Sequence, residues 1–278
     1  QAVDFLVENK IEGNFFNDFN SGAYLLGRAS PRIKVFIDGR TEVYGGAFYR
    51  AYTKIWEGDT ELFDRAVDRY QLTGAFLSSL YVPAPSQTIR HLYERPDWVL
   101  VYFDYDAAIF LRDVPANRGW IDRHRMDLGQ WRTEEANLVK IGTKNVIPYR
   151  YVSRAYGLFN MGFPGKAERE ALEAIRIDPQ NAKAYKLLGR IYNDRGEFAR
   201  GFEVLRKAKM FDSGDMKVRY QIARALYHLG EPEQAEIQCR LVLSRKPNDP
   251  EARDLMALIS SGKSEAFHQA FPRGDHGR

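Results

Sequence analysis

Two groups of residues in this chain combine side chains that could hold a ligand. The first is Asn17, Asp18 and Asn20 together with Asp38 and Arg40. Each part follows a run that reads as a short β-strand, Gly13–Asn17 and Arg32–Ile37. Open α/β sheets bind ligands beyond the carboxyl ends of their strands. There Asp38 and Arg40 would grip a sugar or phosphate, with Tyr24 and Tyr44 as stacking surfaces. The competing reading is structural: Asp38 caps a turn and Arg40 pairs with Asp18. The second group is Lys186, Arg190 and Arg224, with Tyr156, Asn193, Tyr220 and Tyr227. Lys186 and Arg190 are one helical turn apart and share a face. Arginine holds a carboxylate through two parallel hydrogen bonds, and aromatics serve as buried anchors. This group therefore suits an acidic peptide. Its alternative role is packing against the N-terminal part of the same chain, where residues 1–113 carry 12 Lys and Arg against 16 Asp and Glu, a net −4.

Other chemistry finds little support. The five histidines, His91, His124, His228, His268 and His276, lack metal-ligand spacing. One cysteine excludes an internal disulfide and a four-thiolate metal site. Cys239 falls on an apolar helix face and reads as a small buried hydrophobe. There is no glycine-rich phosphate loop and no nucleophile elbow. No cofactor, metal or nucleic acid is expected. The 44% hydrophobic content is that of a globular chain, and no run of 18 apolar residues could span a bilayer. The chain starts at Gln1 without a signal peptide. It is expected to be a fragment or processed product, its missing upstream segment either a signal or a membrane region.

The elements that position the second group follow from a self-repeat. With Gly162, Gly196 and Gly230 in register, blocks 148–181, 182–215 and 216–249 align. Ala155, Gly189 and Ala223 share one small-residue column. Leu158, Tyr192 and Leu226 share another, as do Ala167, Gly201 and Ala235, then Ala174, Ala208 and Val242. Each block reads as two amphipathic helices around a glycine C-cap, with Pro148 opening the first. Residues 250–262 read as a capping helix.

The 34-residue period and its small-residue columns resemble the tetratricopeptide repeat. The resemblance implies an all-α superhelix at 148–262 that binds a protein along its concave face. The first helix of each pair would line that face, contributing Tyr156, then Lys183, Lys186, Arg190 and Asn193, then Lys217, Tyr220, Arg224 and Tyr227. The pattern is similar to repeats that clamp the carboxylate of chaperone peptides. Tyr156 and Arg190 stand where that clamp has asparagines, which favours a different acidic ligand.

Residues 1–113 read as an α/β domain with a mixed sheet and flanking helices. Helices are expected near Ala2–Lys10, Phe48–Trp56, Leu62–Tyr70 and Gln87–Tyr93. Strands are expected at Gly13–Asn17, Arg32–Ile37, Gly74–Leu77, Trp98–Phe103 and Ala107–Leu111. The last two form a hairpin around Asp104-Tyr105-Asp106, an antiparallel edge on a partly parallel sheet. Residues 114–147 read as a linker with a short helix at Thr133–Lys140, and 263–278 as a disordered tail.

The stretches Phe16–Leu25, Val35-Phe36-Ile37-Asp38-Gly39-Arg40, Tyr44-Gly45 and Asp97–Tyr102 resemble a further family. It is the soluble C-terminal domain of bacterial multispanning membrane proteins that are glycosyltransferase-like and use lipid-linked sugars. The resemblance implies a periplasmic location, as part of a membrane protein. Such enzymes carry their catalytic acids in loops beside membrane helices, so no catalytic residue is assigned here. The expected function is a non-catalytic protein-interaction fragment. The alternatives are an accessory glycan-binding domain and a free cytoplasmic scaffold.

Overall fold

Phe15 and Phe16 are adjacent on the first strand, point to opposite faces of a sheet, and are both fully buried. That sets the architecture of the N-terminal part: a sheet covered on both sides. The computed structural model describes residues 1–78, 86–132, 140–141, 145–146 and 149–261. The sheet is ordered β2-β1-β3-β5-β4, with strands β1 (Gly13–Asn17), β2 (Ile33–Val35), β3 (Gly74–Leu77), β4 (Trp98–Phe103) and β5 (Ala108–Arg112). β1 runs parallel to β2 and β3, and the β4–β5 hairpin joins β3 antiparallel. The expected mixed sheet is present, and its strands lie where the apolar runs put them.

On the Phe15 face, Leu6, Leu25 and Ile121 pack with Val99, Ile109 and Leu111. They come from helices α1 (Ala2–Glu8), α2 (Phe19–Ala29) and α6 (Arg118–His124) and from the sheet. On the other face Phe16 meets Phe36 and Phe63, each with ring centroids 5.3 Å away. Phe63 belongs to α4 (Thr60–Tyr70); α3 (Thr41–Glu57) and α5 (Ser86–Glu94) complete the helices before β4.

Three differences from the sequence reading concern helices. α2 was not expected, because Asn20, Gly22 and Gly27 weaken its pattern. It forms because Asp18 caps it, accepting from the Ser21 N–H at 3.0 Å. α3 starts seven residues before Phe48 and breaks at Gly45, whose φ of 70° departs from the helix. α6 lies within the expected linker, where Trp120 packs on the core and donates to the Asn9 carbonyl. The helix expected at Thr133–Lys140 falls on residues 133–139, outside those described, and Lys140 instead opens the two-residue strand β6 (Lys140–Ile141), paired with β7 (Asn145–Val146). Pro148 and residues 262–278 also lie outside the described residues.

The chain divides into two units by its internal contacts, Gln1–Glu170 and Ala171–Arg278. In the first unit α7 (Tyr149–Asn160) packs against α5. The Lys166 ammonium, on α8 (Pro164–Ile177), donates to the carbonyls of Leu128, Gly129 and Trp131 at 2.5, 2.9 and 2.7 Å. The second unit holds α9 (Ala182–Asp194), α10 (Phe198–Phe211), α11 (Met216–His228), α12 (Pro232–Arg245) and α13 (Pro250–Ser260).

The helix starts keep the 34-residue period from α8 through α13, as do the ends up to α12. Gly162, Gly196 and Gly230 take φ of 92°, 78° and 83°, left-handed values that a Cβ disfavours. Each sits in the same hydrogen-bonded turn, with Phe163, Glu197 and Glu231 N–H returning to Leu158, Tyr192 and Leu226 carbonyls. The small columns serve close approach: a Cβ on Gly189 would meet Leu205 Cγ at 2.3 Å. Cys239 is fully buried in this core, and burial pushes its thiol up to about 11.

The first repeat departs from the others in one core position. Arg154 and Glu170 form a buried ion pair at 2.8 Å, where the next repeat has Leu188 and Val204 in the same columns. Burying two charges costs about as much as their attraction returns, but leaving one unpaired costs more. We predict that Arg154→Leu alone destabilises by about 3–5 kcal/mol, while adding Glu170→Val restores most of the loss. Urea denaturation of the single and double variants checks this, and additive losses would contradict it. We also predict that alanine at Gly162, Gly196 or Gly230 costs about 1–2 kcal/mol at each site. A neutral result at any of the three glycines in thermal melts would break their equivalence.

Candidate functional site

The strand-end group is brought together at one end of the sheet. Asn17 ends β1 and is fully buried. Its Oδ1 accepts from the Phe36 and Ile37 N–H groups, and its Nδ2 donates to the Asp18 and Ile37 carbonyls. Asp18 is also buried, and its carboxylate accepts from Ser21 N, Ser21 Oγ, Ser78 N and Ser78 Oγ at 2.7–3.0 Å. It thereby ties α2 to the end of β3. Gly22 is required beside them, because a Cβ there would lie 2.0 Å from the Ile37 carbonyl. Asn20 is exposed, and Tyr24 is 56% exposed.

Asp38 is buried, and Arg40 folds back onto it rather than onto Asp18. The guanidinium donates from Nε at 2.9 Å and Nη2 at 2.6 Å, and the Arg40 N–H adds a third bond. These bonds hold the Asp38 carboxyl well below the usual carboxylate range, and they raise the Arg40 guanidinium. Tyr44 bonds to Asp38 as well; burial and that bond push its phenol up. Tyr44 stacks on Phe48 at 5.2 Å. Beyond Phe48 lies a cavity of about 300 Å³ between α3 and α4.

The basic group is divided between the units. Tyr156 is buried in the first. In the second, α9, α11 and α13 touch one another in series, while α10 and α12 each pack on the pair member beside them. The first helices therefore form the inner face. Lys186 donates to Asp215 at 2.5 Å. Arg224 donates to Asp194 at 2.6 Å, and Arg190 approaches the same carboxylate at 3.9 Å. Asn193 is buried, its amide given to the backbone and side chain of Gln221. Tyr227 is 8% exposed, and Tyr220 is half-buried.

Lys217 lies among these residues. Loss of hydration lowers its ammonium pKa; Glu251 opposes the shift, and repulsion from Lys186, Lys246 and Arg190 adds to it. Lys217 itself is exposed, and Glu251 acts on it alongside the three cations. Lys183 and Lys217, which the sequence reading placed on the concave face, share a column of the period with Glu251. A column that it missed is Asn181, Asp215 and Asp249. Each accepts from a first-turn N–H and caps α9, α11 or α13. Asp215 thus both caps a helix and pairs with Lys186. Among the described residues, no group of side chains could hold a metal ion, and no helix is long and apolar enough to cross a membrane.

With this geometry in view, the comparisons assign the helical part to a class. Residues 193–259, which hold α10 to α12 and all but the last residue of α13, match the family model of the tetratricopeptide repeat. A curated relative, cellulose synthase operon protein C of Salmonella typhimurium, is 28% identical over 96 residues, covering 34% of this chain and 8% of that protein. The chain thus spans a small part of that relative's length. Similar solved structures include the Thermobaculum terrenum O-GlcNAc transferase, at 22% identity and TM-score 0.39, covering 41% of this chain and 22% of that one. The first repeat domain of human RPAP3 is similar at 19% identity and TM-score 0.40, covering 45% of this chain and 97% of that one. MamA is similar at 18% identity and TM-score 0.40, covering 44% and 74%.

Burial works against the Asp215 carboxylate, but the hydrogen bond and charge of Lys186 and the Val218 and Lys217 N–H groups together outweigh it and hold its pKa below the usual range. A depressed pKa gives stability that is present above the unfolded value, near 3.9, and is lost as pH falls through the folded value. We predict that Asp215→Asn, which keeps a capping side chain, costs about 1 kcal/mol at neutral pH. The gap to wild type should close as the pH drops below about 4. Thermal melts across pH check this; a gap constant down to acid would exclude the ion pair as its cause.

Proposed function

We propose that this chain is a non-catalytic interaction part of a larger glycosyltransferase-like membrane protein, and that its repeats take up an acidic segment of a partner protein. The observation that carries the reading is the cation cluster around Lys217. Loss of hydration, with Lys186, Lys246 and Arg190 close by, makes its charge costly, and Glu251 offsets part of that cost; an entering carboxylate relieves the remaining repulsion as well as forming ion pairs. Tyr220, half-buried beside Arg224, offers an aromatic flank. Arg190 and Arg224 both approach the Asp194 carboxylate.

An extracytoplasmic position rests on the resemblance of Phe16–Leu25 and Val35–Arg40 to the soluble domain of multispanning membrane proteins. The sugar-binding alternative has less support. Asn17 and Asp18 spend their polar atoms inside the chain, and Asp38 is closed by Arg40.

We predict that a labelled Glu-rich peptide binds the chain and weakens steeply with salt, because exposed charges are screened over about 8 Å at physiological ionic strength. Lys217→Glu and Arg190→Glu should each weaken it by about tenfold or more. Changing Lys10, on the N-terminal unit, should leave it unchanged. Fluorescence anisotropy reads the affinities, and equal binding by wild type and both reversals removes this face as the partner site. A protease added to spheroplasts of the source cell should cut the chain in place; protection would put it in the cytoplasm.

A further inference from the structure

We propose that the cavity between α3 and α4 binds the chain end of a single-chain amphiphile with an anionic head. The walls are apolar: Phe36 follows β2, Phe48 and Ile55 come from α3, and Leu62 and Ala66 come from α4. The volume of about 300 Å³ is at the lower end for ligand pockets. It has room for about ten groups the size of a water molecule, at about 30 Å³ each. An alkyl chain of about that many carbons fills it. A lining this apolar gives a water molecule few partners, so it favours hydrocarbon over solvent.

The charge at the cavity selects the head. Arg65 and Arg69 also line it. They are four residues apart on α4 and therefore project on the same side. The Arg65 side chain is 64% exposed and approaches Glu61 at 3.4 Å. Arg69 lies over the Tyr70 ring, 5.5 Å from its centroid. Two guanidinium groups beside an apolar opening suit a phosphate or carboxylate, which they can hold by parallel hydrogen bonds.

The strand-end cluster gains a role in this arrangement. Asp38 holds Tyr44, Tyr44 stacks on Phe48, and Phe48 walls the cavity. Phe36 is fixed from the other side by the Asn17 side chain, which accepts its N–H at 2.8 Å. Asp38 and Asn17 thus act as positioning residues, with no contact to the ligand.

The test is titration calorimetry on the whole chain with decyl phosphate, decanoate and decanol, each below its micelle concentration. One decyl phosphate should bind per chain. Ala51→Phe and Ala66→Phe fill the cavity and should each weaken it by about tenfold or more. The double variant Arg65→Glu, Arg69→Glu lies on the exposed face of α4. It should weaken both acids by about tenfold and decanol by less than about threefold. Tighter binding of decyl phosphate than decanoate supports a phosphate head, and the reverse supports a carboxylate. The proposal is overturned if wild type shows no saturable binding. It is equally overturned if a folded filling variant binds as wild type does, or if the arginine reversal leaves both acids unchanged. Should the filling variants fail to fold, the arginine variant decides alone.

Discussion

In the second unit each helical hairpin, α9–α10 and α11–α12, leaves an apolar face that the next helices along the period cover. That constraint governs the rest of the array. It demands the same turn at every repeat, so Gly162, Gly196 and Gly230 share a left-handed backbone. It demands close helix approach, so Ala155 and Ala223 are fully buried and Gly189 admits Leu205. It also places first helices beside first helices, which brings the side chains of one column into a ladder. The electrostatics of the inner face are a by-product of that ladder. Lys217 follows Lys183 and precedes Glu251, and its neighbours act on it because packing puts them there.

The N-terminal unit solves a different problem with a different device. A mixed sheet must end its strands somewhere, and their terminal polar groups need partners. Asn17 and Asp18 supply them: their side chains take part in eight hydrogen bonds, five of which reach the ends of β2 and β3. A buried polar network of this kind is costly unless fully satisfied. The same residues that looked suited to a ligand are therefore those that hold the strand ends in register.

Much of this was legible from pattern. The strands at Gly13–Asn17, Gly74–Leu77 and Trp98–Phe103 are continuous apolar or aromatic runs, and they appear with those bounds. The helical period was legible because its columns repeat three times. What pattern could not show was pairing across space. Lys186, Arg190 and Arg224 stood out as cations, yet Asp194 and Asp215 opposite them looked like ordinary helix ends. α2 was hidden for the converse reason. Its helix-poor residues Asn20, Gly22 and Gly27 are tolerated because one face packs on the sheet and Asp18 supplies the cap. Asn181, Asp215 and Asp249 were overlooked because Gly and Pro columns drew the alignment, although all three cap residues keep the same spacing.

Cys239 carries a consequence of its own. It is the chain's single thiol, it is fully buried in the third repeat, and its burial keeps it protonated. The thiolate is the reactive form, so the folded state blocks reagents by access and by ionisation together. Alkylation of this sulfur then proceeds only through moments when the third repeat parts from its neighbours. The array thus contains a native clock for its own breathing: a mass shift on one atom, followed in time, counts openings without any engineered label.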